Sequence, residues 1–122
     1  MIIEHKLNPY PRMMWVVKDE NFDDIKKDFK LNPEDEELTN DEIEEDCNAI
    51  VFECTKDGFL GFMVFIASNC EDGTLVHEAV HVAFHVYEAC SMKLEPGMDQ
   101  EPFCYLTEYI YKLLEQDVVQ TK

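Results

Sequence analysis

The pattern of apolar and polar positions divides the chain into a strand-rich half and a helical half. Short runs of β-favouring residues predict strands at residues 2–7, 12–18, 48–55 and 59–68. Asp57 and Gly58 separate the last two runs, and Asp-Gly between such runs is a strong hairpin signal.

Helical spacing of apolar residues replaces alternation in four other segments. Residues 19–30 predict a helix with Asn21 as its cap, ended by Pro33, and Thr39 offers a capping box for a short helix through Asp46. Residues 75–90 and 102–117 predict two longer helices. The whole chain, residues 1–122, is expected to form one α+β domain: a small, mostly antiparallel sheet packed on these two helices.

Residues 75–90 are apolar except for a narrow polar stripe formed by His77, Glu78, His81, His85 and Glu88. A helix that is apolar nearly all round is expected to be buried. Unpaired polar groups cost about 2–7 kcal/mol each to bury, so these side chains need partners. A metal ion would satisfy several at once, whereas hydrogen bonds to backbone carbonyls are the alternative.

His77, Glu78 and His81 form the pattern H-E-x-x-H. On a helix the two histidines lie one turn apart on the same side and can bind one Zn²⁺ ion. Glu78 lies about 100° round the helix from His77, beside the metal position. A carboxylate there can act as the general base for a water molecule held by zinc. Thr74 is predicted to cap this helix.

Two histidines leave a zinc site incomplete. His85 starts roughly 12 Å along the helix axis from His77, too far to share an ion, and is expected to support the site or form a cleft wall. The last helix carries Glu101 and Glu108, seven residues apart on one face, and either can supply the third ligand.

The segments GTLVHEAVHVAFHVYE and QEPFCYLTEYIYKLL together resemble small phage- and prophage-encoded zinc metallopeptidases. In that group a Glu-Pro-x-small-Tyr-Leu segment opens the last helix, and here residues 101–106 read EPFCYL. The same two-helix core is similar to minimal gluzincin domains of the ImmA/IrrE and SprT-like types. The resemblance covers residues 73–114, and implies a minimal zincin-like fold with Glu101 as the third zinc ligand.

One position departs from the larger gluzincins, which often place a carboxylate four residues after the ligand glutamate to hold a histidine. Tyr105 stands at that position here, so Glu88 or Glu108 would have to take that role. Tyr105 or Tyr109 can donate a hydrogen bond to a tetrahedral oxyanion, although packing is the more common role of a helical tyrosine.

The formal net charge of −17, from 27 acidic and 10 basic residues, argues against nucleic acid or an anionic membrane as a partner. Nine acidic residues crowd residues 34–46. The five cysteines, which include no C-x-x-C pair, predict reduced and mostly buried thiols. No segment has transmembrane length and the first residues do not form a signal peptide, so a cytoplasmic protein of a bacterial or phage-infected cell is expected.

The sequence therefore predicts a zinc-dependent hydrolase, and first of all a peptidase acting on a peptide or protein substrate. The strand at residues 59–68 ends nine residues before His77 and is expected to present its edge to an extended substrate. The alternative is a non-catalytic interaction protein, stabilised by zinc, whose acidic surface binds a basic partner. Hydrolysis of a non-peptide amide would use the same residues.

Overall fold

The computed structural model describes residues 1–68, 70–95, 97 and 99–119, with the side chain of Asp72 left out. It confirms the α+β fold as one five-stranded sheet in the order β1-β2-β5-β4-β3. The strands are β1 (Ile2–Lys6), β2 (Met13–Lys18), β3 (Lys30–Leu31), β4 (Ala49–Lys56) and β5 (Phe59–Ile66). Adjacent strands are antiparallel except for β2 and β5, which are parallel.

The helices cover both faces of this sheet. They are α1 (Phe22–Ile25), continued by a 3-10 turn (Lys26–Asp28), α2 (Pro33–Glu36), α3 (Asn40–Asp46), α4 (Asp72–Ala89) and α5 (Glu101–Val118). One apolar core lies between the sheet and the pair α4 and α5, and a second lies between the sheet and the shorter helices α1 and α3. The sheet is therefore the middle of three layers, because each face is apolar and must be covered.

Helix α5 is fixed against the rest of the domain near both of its ends. Near its start, the Phe103 ring lies 4.9 Å from the ring of Phe84 and 5.1 Å from that of Tyr87. Near its end, the buried carboxylate of Asp117 lies 2.6 Å from Nε2 of His5 on β1. The first turn of α5 thus sits beside the C-terminal half of α4.

Local sequence signals gave most of the boundaries correctly. Asp57 and Gly58 both have positive φ, as a two-residue hairpin turn requires. The Asn21 side chain accepts from the Asp23 N–H, and the capping box of Thr39 is present.

Two predicted boundaries were wrong. Pro33 does not end the preceding helix, which stops with its 3-10 turn at Asp28, but opens α2, since proline suits the first turn of a helix. Helix α4 begins at Asp72 with Glu71 as its N-cap, so Thr74 lies inside the first turn and caps nothing.

The prediction that the strand at residues 59–68 presents an edge to a substrate was wrong. This strand is β5, and it is hydrogen-bonded to β2 on one side and to β4 on the other. Its backbone groups are therefore occupied. The strand with an open edge beside α4 is β4, which pairs with the two-residue strand β3 only at Cys54 and Thr55.

All five cysteines are free thiols, but the expectation that most are buried was wrong. Cys54 is buried, Cys104 is exposed and the other three are half-buried. Burial raises the pKa of the Cys54 thiol to about 12. Within the described residues, no helix combines the length and apolar character needed to cross a bilayer.

Gly61 on β5 is a position where only a hydrogen atom fits. A Cβ there would lie 2.2 Å from the backbone oxygen of Met13 and 2.8 Å from the Trp15 ring. We expect Gly61→Ala to lower the free energy of unfolding by about 1–3 kcal/mol in urea titration, because a backbone atom must move. Gly73→Ala is the matched control: its Cβ meets nothing within 4 Å, and alanine favours the helix. Equal effects of the two substitutions would contradict this account.

Candidate metal centre

His77 and His81 come together on the outer side of α4. Their Nε2 atoms lie 3.0 Å apart, and the ring centroids lie 4.6 Å apart with the planes at 74°. The four-residue spacing on a regular helix produces this approach, as the sequence predicted.

The expectation that this helix is buried nearly all round was wrong. Both histidines are exposed, as are the apolar side chains of Val76 and Phe84, at 50% and 48%. The sheet and α5 cover only part of the circumference of α4, and the histidines lie outside the covered part. The site is therefore open to solvent and to a ligand.

Glu78 is the buried member of the motif. Glu78 is only 4% exposed, and its Oε2 atom has no hydrogen-bond partner among the residues that the structure describes. The nearest donor atoms of His77, Glu78 and His81 all lie within 4.8 Å of one another. Burial raises the pKa of the Glu78 carboxyl, and the neighbouring His77 partly offsets this. The pKa of this carboxyl is thereby shifted towards the range in which the group can act as a general base.

His81 is held towards its neutral form. Partial desolvation lowers its pKa, and positive charge on His77 or His85 would lower it further. Neutral imidazole is the form that binds metal ions.

His85 occupies the next turn and does not belong to the three-residue group. Its Nδ1 atom lies 3.2 Å from Oε1 of Glu53 on β4. Its ring stacks on the ring of Phe62, with the two centroids 5.5 Å apart. His85 thus ties α4 to the sheet one turn beyond His81, and its role as a support or cleft wall of the site stays a prediction. Its partner Glu53 was not foreseen, because the pair is far apart in sequence.

The three clustered residues fit a divalent metal ion. Two nitrogen ligands of a tetrahedral zinc, each at about 2.0–2.1 Å, lie about 3.3–3.4 Å apart, close to the observed 3.0 Å. Oε2 of Glu78 is buried beside the two histidines and has no partner among the described residues. Burying such an oxygen costs free energy unless a water molecule, a proton or an ion satisfies it.

Neither predicted third ligand belongs to this group. Glu101 and Glu108 are exposed on α5, and Glu101 lies about 180° round the helix from the buried Ile110. Glu108 is paired with Lys112, at 2.9 Å. The assignment of Glu101 as a zinc ligand stays a prediction, since its carboxylate is not among the ligand atoms that lie within 4.8 Å of one another.

The remaining candidate residues do not belong to the three-residue group. Tyr105 and Tyr109 on α5 are exposed at 65% and 41%. Glu88 lines a cavity of about 420 Å³ at the C-terminal end of α4, together with Arg12 and Lys30.

A second cavity, of about 500 Å³, opens directly beside His77. Its walls come from the junction of α3 with β4 and from the first turns of α4, and they include His77 and Glu78. Asp46 and Glu71 also line it, and sequence reasoning assigned neither a role. A charge run shows where acidic residues are concentrated but not which of them face a cleft.

Comparison of the chain with known protein families, with curated proteins and with solved structures finds no match. The resemblance to phage-encoded zinc peptidases therefore rests on the two motifs alone.

Proposed function

We propose that this protein is a zinc-dependent hydrolase that cleaves peptide bonds at the HExxH segment of α4. One observation carries the proposal: the Nε2 atoms of His77 and His81 converge to 3.0 Å beside the buried, unpartnered carboxylate of Glu78. A structural metal site needs the two ligands but has no use for that third group. The adjoining cavity of about 500 Å³ has the size of a ligand pocket.

In this proposal His77 and His81 hold the metal, with Glu101 as the third ligand that the motif resemblance implies. A bound zinc ion would polarise the scissile carbonyl and make a water molecule more acidic. Glu78 takes a proton from the water that attacks the carbonyl carbon. As the C–N bond breaks, Glu78 returns this proton to the leaving amine. Its raised pKa suits both transfers.

The open edge of β4 is where we place the substrate backbone. In the described part of the chain, no strand pairs with residues 49–52 on the side away from β5. Helix α4 packs against this strand, and Ala49 lines the same cavity as His77 and Glu78. An extended peptide added at about 4.8 Å from β4 would bond to its backbone and pass beside the histidines.

Metal titration combined with a peptide-pool digest tests the proposal. The chelator-stripped protein should bind one zinc ion per chain, and zinc should restore cleavage of a pool of peptides prepared from whole-cell protein. New peptide ends are identified by mass spectrometry. The double substitution His77→Asn with His81→Asn should abolish both zinc binding and cleavage while the circular dichroism spectrum is kept.

Zinc binding without cleavage of any peptide would contradict the proposal. That result would favour the non-catalytic alternative, in which zinc stabilises an acidic protein that binds a basic partner. The net charge of −17 suits such a partner but does not explain the position of Glu78.

A further inference from the structure

The cavity beside His77 is lined by carboxylates from two different elements. Asp46 is the last residue of α3, and Glu71 is the N-cap residue of α4. No lysine or arginine lines the cavity, and neither carboxylate forms an ion pair within the described part of the chain. The cavity therefore carries negative charge that no lysine or arginine of the described residues neutralises.

Glu78 adds a separate indication that a ligand binds here. It lines the same cavity, it is 4% exposed, and no described residue forms a hydrogen bond with its Oε2 atom. The negative environment also acts on Cys47, another lining residue. Burial raises the pKa of its thiol first, and the charges of Asp46 and Glu78 raise it further.

The placement of Asp46 is unfavourable for the fold alone. The last turn of α3 contains Glu44, Glu45 and Asp46 and no basic residue, whereas a helix C-terminus favours positive charge. Glu44 is compensated by the backbone N–H and hydroxyl of Ser68. In the described part of the chain Asp46 receives no such hydrogen bond, so its carboxylate is available to a cation that enters the cavity.

We propose that this cavity binds the cationic side chain of a lysine or arginine in the substrate peptide, at a residue adjoining the hydrolysed bond. The position next to that bond follows because His77 and Glu78 belong both to the cavity wall and to the metal group. The inference rests on the proposed function for its substrate, but the binding preference can be measured without hydrolysis.

The test uses the zinc-loaded chain of 122 residues and two blocked tripeptides, acetyl-alanyl-arginyl-alaninamide and its citrulline counterpart. Citrulline keeps the size and hydrogen bonding of arginine but has no charge. NMR titration of backbone amides measures both affinity and location. We expect the arginine peptide to bind roughly two- to five-fold more tightly, with shifts concentrated at residues 46–49 and 71–74.

Substitutions that each remove one carboxylate charge show which acidic residues bind the peptide. Asp46→Asn and Glu71→Gln should each weaken arginine binding by roughly two- to five-fold and leave citrulline binding unchanged. Glu45→Gln removes the same charge from the same helix, but Glu45 does not line the cavity, and this variant should bind arginine as the parent does. Asp46→Asn should also raise the midpoint of thermal unfolding by about 1–3 °C, because it removes an unfavourable helix-end charge.

Equal binding of the two peptides, shifts located elsewhere, or an equal loss with Glu45→Gln would overturn the inference. Failure of hydrolysis would not produce these results, because binding is measured directly. Equal affinity for the arginine and citrulline peptides would likewise say nothing against zinc-dependent cleavage. Glu71→Gln keeps the inference testable if Asp46→Asn fails to fold.

Discussion

Glu78→Gln is expected to lower the rate of peptide cleavage by about 10²–10⁴-fold, the usual share of general-base catalysis. The amide keeps the shape of the carboxylate but cannot accept the proton. Zinc binding should be unchanged, because the histidine nitrogens that hold the ion are untouched. The fold should also be kept, since Oε2 has no hydrogen bond to lose within the part of the chain that the structure describes. Single-turnover assays at saturating zinc measure the rate, and a chelator titration measures the metal.

Glu45→Gln provides the control for this experiment, as an exposed glutamate on α3 outside the metal group and the cavity. Its cleavage rate should equal that of the parent. Unchanged turnover in Glu78→Gln would reject Glu78 as the base, even if zinc-dependent cleavage itself were established. Loss of zinc together with activity would instead mean that Glu78 helps to hold the ion.

Features set by neighbouring residues were predictable from the sequence. The span of α4, the Asp57-Gly58 hairpin and the start of α5 follow from periodicity, turn chemistry and a proline in a first helical turn. The approach of His77 and His81 is local in the same sense, since any regular helix brings residues four apart together.

Features set by contacts distant in sequence were not predictable. The parallel pairing of β5 with β2 makes β5 an internal strand, and nothing within residues 59–68 records that pairing. Periodicity likewise shows which residues share a side of α4 but not which sides its neighbours cover. The histidines are exposed for that reason, although the residues around them are apolar. The cavity acids Asp46 and Glu71 are brought together by the packing of α3 and α4 around the start of β4.

Glu101→Gln is expected to weaken zinc binding by more than about 100-fold. Replacing a residue that only hydrogen-bonds to a metal ligand typically lowers metal affinity by about 10–100-fold, and loss of a ligand should cost more. The reason lies in the position of Glu101 at the first residue of α5. Its backbone N–H donates to Oδ1 of Asp99, and its exposed carboxylate forms no ion pair with any residue that the structure describes. Helix ends open at low free-energy cost, so the first turn can shift towards α4, which Phe103 already contacts. Competition with a chromophoric chelator near neutral pH measures the affinity.

Glu108→Gln is the matched control, because Glu108 shares the outer face of α5 but lies in the middle of the helix. Its carboxylate is engaged by Lys112 at 2.9 Å, and moving it to the histidines would require unwinding several turns. Zinc affinity in this variant should stay within about two-fold of the parent, since only an exposed ion pair is lost. If Glu108→Gln lost the metal while Glu101→Gln kept it, the third ligand would be Glu108, and the motif resemblance would have assigned the wrong residue. If both variants kept the metal, α5 would supply no ligand, and the third ligand would have to come from the other side of α4, where Glu78 and β4 lie.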